Sequence, residues 1–119
     1  MEQREYKRLQ EDPRVFRRAE LVDSIRWLGD SLPSVTDALI RILAGQPLDK
    51  PQQHAGAPES DLFRVLVTKA DVSEVCGHLL SQEAAAVSPS GETTALASKI
   101  GSLVDRWSRY AESLDDDAA

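Results

Sequence analysis

The sequence predicts an all-α protein: an antiparallel helical bundle of about four helices with one long Pro-rich crossover loop. Three observations carry this. From Glu92 to Leu114, the residues Leu96, Ile100, Leu103, Trp107, Tyr110 and Leu114 recur at spacings of four, three, four, three and four. That is the seam of a helix packed along another helix. A second long stretch, Leu62 to about Ala86, keeps the same period, and nothing in the chain signals a β-hairpin.

Composition agrees with that class. A chain of 119 residues, 41% hydrophobic, suits one domain with its own core. At 5% aromatic, that core must rest on Leu, Val, Ile and Ala, and large aromatic pockets are not expected. The formal charge of −6 argues against general nucleic-acid binding, which needs a surplus of Lys and Arg. Residues 1–26 hold seven of the fourteen basic residues against six acids and so stand at +1, leaving −7 for residues 27–119. Arg14, Arg17 and Arg18 are the candidate basic surface.

In chain order, residues 1–11 are charged and expected to be flexible or to extend the first helix. Asp12-Pro13 reads as an N-cap followed by a Pro at the first helical position, opening a helix to about Gly29. Its stripe is Val15, Ala19, Val22 and Ile25, broadened by Leu21 and Leu28. Gly29 to Pro33 breaks the chain. Ser34 with Asp37 then opens a short helix to Ala44, buried through Val35, Ala38, Leu39, Ile42 and Leu43. Gln46 to Pro58, with three prolines, is either a crossover loop bridging distant helix ends or a mobile functional segment, and the crossover is the favoured reading. Residues 62–67 are β-rich enough to be a strand, with Asp71 and Glu74 capping a later helix. Continuous helix is the favoured reading, because a lone strand would lack a partner. Lys69 then falls on the apolar seam with its amine snorkelling outward. After Ser88 to Gly91 comes the final helix, which Asp115, Asp116 and Asp117 should terminate against its negative dipole end, leaving 115–119 flexible.

The chemistry-bearing residues do not converge. Asp71, Glu74 and His78 share a face within about 60° at helical spacing, but a metal carboxylate bundle needs matching ligands from other helices and none is visible. His54 lies in the Pro-rich loop. Cys76 and His78 are two apart and point to different sides of a helix, which denies Cys76 a base. There is no Gly-rich phosphate loop and no Gly-x-Ser-x-Gly elbow. No catalytic residue, cofactor or metal is expected, and the chain is not expected to be an enzyme. The lone Cys76 suits a reducing compartment, and no secretory signal or apolar run long enough for a membrane is seen, so the expected location is cytoplasmic.

Trp27-Leu28-Gly29 resembles the Trp-x-Gly turn of the small helical-hairpin substrates of type VII secretion, which implies a secretion-associated protein. The resemblance covers three residues, and Leu114 stands where that family's acid would follow Tyr110. Helix–Gly29 turn–helix also invites a helix-turn-helix DNA-binding regulator, with Ser34 to Ala44 as recognition helix and Arg41 its only cation. The primary expectation is a small acidic protein–protein interaction module: an adaptor, an immunity-like inhibitor or an accessory assembly factor. Its partner would be another protein, basic by charge complementarity. Because the end of the last helix outruns the short second helix, Leu103, Trp107, Tyr110 and Leu114 are expected to stay open as the interface of a homodimer.

Overall fold

The computed structural model describes residues 3–48, 58, 61–86, 91 and 94–118, with side chains up to Leu114. Among these the class is helical, as expected, with five helices and a small two-stranded sheet: α1 (Gln3–Glu11), β1 (Val15–Arg17), α2 (Arg18–Leu28), α3 (Pro33–Ala44), β2 (Leu62–Arg64), α4 (Lys69–Ala85) and α5 (Ala95–Ala118).

The strands correct two expectations at once. The Asp12-Pro13 pair does not open a helix; α1 ends just before it, and Asp12 Oδ1 accepts from the Arg14 amide at 2.9 Å in a tight turn. The chain then leaves as β1, which pairs antiparallel with β2 in the register Val15↔Arg64, Phe16↔Phe63, Arg17↔Leu62. Bonds of 2.8 Å from Arg18 N to the Asp61 carbonyl and from Val65 N to the Arg14 carbonyl lengthen the ladder at both ends. The strand partner that 62–67 was expected to lack lies inside the segment read as the first helix. Leu48, at the start of the crossover segment, donates its amide to the Leu62 carbonyl at 2.8 Å. Residues 49–57 of that segment lie outside the described residues.

Helix boundaries shift with their caps. Thr68 caps α4 by accepting the Asp71 amide at 3.1 Å, so Lys69 is an exposed first-turn residue and not a member of the seam. Thr94 does the same for α5, accepting the Ala97 amide at 3.0 Å. Pro33, not Ser34, starts α3 at its first helical position. At the other end the α5 backbone runs on to Ala118 through the three aspartates expected to stop it.

The two long helices form an antiparallel hairpin. Thr94 Oγ1 donates to the Ala86 carbonyl, Gly101 lies against the Glu83 carboxylate, and Cys76 pairs with Ser108, contacts that run in opposite directions along the two helices. The core includes Val72, Val75 and Leu79 from α4, Ile100, Leu103, Trp107 and Tyr110 from α5, Leu21 and Leu28 from α2, Val35 and Leu39 from α3, and Phe16 and Phe63 from the strands. In α2 the buried face is therefore Leu21, Ser24 and Leu28, while Val22, expected on the core stripe, is 44% exposed. Val15, which anchored the expected stripe, belongs to β1 and not to the helix, so the face that packs is set by Leu21, Ser24 and Leu28. A satellite cluster of Tyr6, Val15 and Leu62 fastens α1 to the outer side of the sheet.

Candidate functional site

Three aromatic rings from two elements meet in the core. Phe16 of β1 lies 4.7 Å from Trp107 and 6.0 Å from Tyr110, all in tilted arrangements that suit the ring quadrupoles. Trp107 Nε1 donates to Ser24 Oγ at 3.0 Å, and Ser24 Oγ donates to the Glu20 carbonyl at 2.7 Å. This explains a serine with no exposed surface on α2. Tyr110 uses its hydroxyl twice, donating to the Val65 carbonyl at 3.0 Å and accepting the Val67 amide at 3.3 Å.

These contacts correct the expected interface. Leu103, Trp107 and Tyr110 are buried within the chain at 5%, 0% and 1% exposure, and Leu114 is half-buried against the same core. The α5 end that was expected to outrun its neighbours is covered by β1 and by the Val65–Val67 segment. None of the three buried residues is available to a second copy without leaving the core.

Of the large apolar side chains exposed among the described residues, which include Val22, Ile40, Leu80 and Leu96, the one that stands furthest into solvent lies next door. Extended backbone turns successive side chains to opposite sides. With Val65 buried and Val67 half-buried, Leu66 between them is 74% exposed. The Tyr110 hydroxyl clamps the residues on both sides of Leu66, so this outward position is held and not a frayed loop. Beside it is a groove of about 440 Å³, floored by Ala38 of α3, Val67, Tyr110 and Leu114, with Arg14 and Asp71 among the residues that line it. Helical periodicity assigns Leu66 to the seam. The strand alternation at 62–67 is the signal that could have placed it outside.

The three expected basic residues do not form one surface. Arg14 borders the Leu66 groove. Arg18 is turned the other way, its guanidinium over the Phe63 ring at 5.0 Å and ion-paired with Asp61 at 3.3 Å. Arg17 is joined by two residues not singled out from sequence, Arg106 and Arg109, around a second cavity. Arg106 is buried to 8% exposure with its guanidinium 3.9 Å from the centre of the Phe16 ring, its Nε 3.4 Å from Glu20 Oε2, and its Nη2 bonded to the Val15 carbonyl. Burial holds this guanidinium below its ordinary pKa, Arg109 pushes the same way, and Glu20 opposes both.

The remaining candidates are accounted for locally. His78 Nε2 lies 3.2 Å from the Trp27 carbonyl, which also accepts from Gln82 Nε2 at 2.8 Å, so His78 is turned toward α2. No group of three or more His, Cys, Asp or Glu residues placed to hold a metal occurs among the described residues, and His54 lies outside them. Burial raises the Cys76 thiol above its ordinary pKa, while its bond to Ser108 works against the rise. On α3 the exposed residues include Ser34, Asp37, Ile40 and Arg41, and Arg41 Nε donates back to the Asp37 carbonyl. The Trp27-Leu28-Gly29 turn ends α2, with Gly29 at φ 50° and its amide bonded to the Ile25 carbonyl. It joins helices of 11 and 12 residues. No described helix is long and apolar enough to cross a membrane. No family model matches the chain, and neither the curated proteins nor the solved structures contain a match.

Proposed function

We propose that the chain is a non-catalytic protein-binding module whose contact surface is the Leu66 groove. One observation carries the reading: a leucine held 74% exposed on a clamped connector, beside an apolar groove with an Arg and an Asp on its lining. A knob next to a hole, with charge of both signs close by, is the arrangement of a small interface core with a polar rim. Its complement is a partner that covers Leu66 and inserts an apolar side chain over Val67 and Leu114.

The partner is proposed to be a different protein with a basic surface. Each copy carries −6, which opposes self-pairing and favours a cationic partner through long-range attraction. The single cysteine suits action in the cytoplasm. Affinity capture from the native source, run in parallel with the wild-type chain and Leu66→Asp, tests the reading. A stoichiometric partner retained by the wild type, released by salt and absent from a Leu66→Asp chain of unchanged melting temperature is the expected result. Equal retention by both chains would remove the groove as the contact surface.

A further inference from the structure

A second feature owes nothing to the Leu66 groove. At the junction of α1, β1, α2 and α5 lies a cavity of about 260 Å³, bordered by Gln10, Arg17, Glu20, Arg106 and Arg109, with Val15 and Leu62 as its apolar part. Three guanidinium groups face one carboxylate, so the lining carries a surplus of two positive charges in a chain whose total is −6.

Glu20 cannot satisfy all three. Its Oε1 accepts the Arg17 amide at 2.8 Å and stands 3.7 Å from Arg17 Nε, and its Oε2 faces Arg106 Nε at 3.4 Å. Arg109 reaches instead to the Glu11 carbonyl, at 3.4 Å. Arg106 cannot swing away, because the Phe16 ring and the Val15 carbonyl hold its guanidinium in place. Its buried Nη1 has no hydrogen-bond partner among the described residues. That atom has almost no accessible surface, so Arg106 acts on the cavity through its fixed charge, while the exposed Arg17 and Arg109 beside it can supply the hydrogen bonds to an anion.

We infer that this cavity binds a phosphate dianion, free or as the head group of a small monoester, gripped by Arg17 and Arg109 beside the fixed charge of Arg106. The surplus of two charges matches a dianion better than a single carboxylate, and planar guanidinium forks suit phosphate oxygens. The organic part of a monoester would lie against Val15 and Leu62. A nucleic acid is the wrong carrier: outside the cavity the chain holds −6 − 2 = −8, which repels an extended polyanion.

The test is a nuclear magnetic resonance titration of the isotope-labelled full chain, at low ionic strength, with inorganic phosphate and with phenyl phosphate. Saturable shifts at Gln10, Arg17 and Arg109 are expected. Tighter binding of phenyl phosphate would assign a monoester, and equal binding would assign free phosphate. Arg17→Ala and Arg109→Ala change exposed side chains and should leave the spectrum folded while weakening binding about tenfold each, as loss of a charge-assisted hydrogen bond does. Arg41→Ala on α3 serves as the control and should change nothing. No saturable shift at tens of millimolar phosphate, or equal affinity in both cavity variants and the wild type, would overturn the inference.

Discussion

Trp107 joins three parts of the fold through one side chain: it packs on Phe16 of β1, sits in the α5 seam, and hydrogen-bonds Ser24 of α2. Its place on the α5 seam was legible because helical periodicity needs only the residues of its own helix, but its burial within one chain was not, since the strand that covers it was read as helix. Phe16 and Ser24 were not legible, since each gains its role from a partner more than 80 positions away in the chain. Arg106 was missed for a related reason. It stands beside the seam, where an arginine ordinarily faces water, and its guanidinium is met there by Val15 and Phe16 of β1 and by Glu20 of α2. Trp107→Ala should destabilise the protein by about 3–5 kcal/mol, the cost of deleting a large buried aromatic. Ser24→Ala, which strands the indole donor, should cost about 1–3 kcal/mol. Both are read by urea unfolding, and a Trp107→Ala change below about 1 kcal/mol would contradict the burial. Gly77 points the other way. It lies within α4, exposed, and an added methyl group would meet nothing within 4 Å. Gly77→Ala should therefore stabilise by about 0.5–1 kcal/mol, seen as a higher urea midpoint at unchanged slope.

The elements divide into those that announce themselves and those that exist only as a pair. α3, α4 and α5 carry their own evidence in apolar spacing and caps, and their expected bounds agree with the structure to within a few residues, apart from the start of α4. The strands are three residues each, too short for an alternating pattern to outweigh the helical period around them. Each is stabilised by the other across a gap of 44 residues between Arg17 and Leu62, so reading either alone leaves its backbone groups without partners. The Asp12-Pro13 pair shows the same limit: an N-cap and an Asx turn use the same side chain, and the backbone path after Pro13 decides between them. Thr68 makes the boundary testable, because its side chain bonds the Asp71 amide only if α4 begins at Lys69. Thr68→Ala should cost about 1 kcal/mol by chemical denaturation, within the usual range for a lost cap, and Thr68→Ser should restore most of it. If 62–86 were one continuous helix, residue 68 would be interior and alanine would instead stabilise.

At the scale of the whole molecule, the helical class followed from composition and periodicity, but which faces remain outside did not. Counting helix lengths suggested that the end of α5 would stay uncovered, and that count omitted the strand and connector that cover it. Burial of Trp107 and exposure of Leu66 are two results of the same packing: Tyr110 draws Val65 and Val67 onto α5, and the alternation between them turns Leu66 out. A measurement of mass and fold together separates this arrangement from assembly through α5. Under the proposed reading the purified chain is a monomer of 13.1 kDa by light scattering after size exclusion. Trp107→Glu would then place a charge in a site with no exposed surface and should unfold the chain, losing its helical circular dichroism signal at room temperature. Leu66→Glu should keep the wild-type mass and melting temperature, because its side chain already stands in water. A wild-type dimer that Trp107→Glu converts into a folded monomer would show the opposite arrangement, with the indole at an interface between copies and not in the core of one.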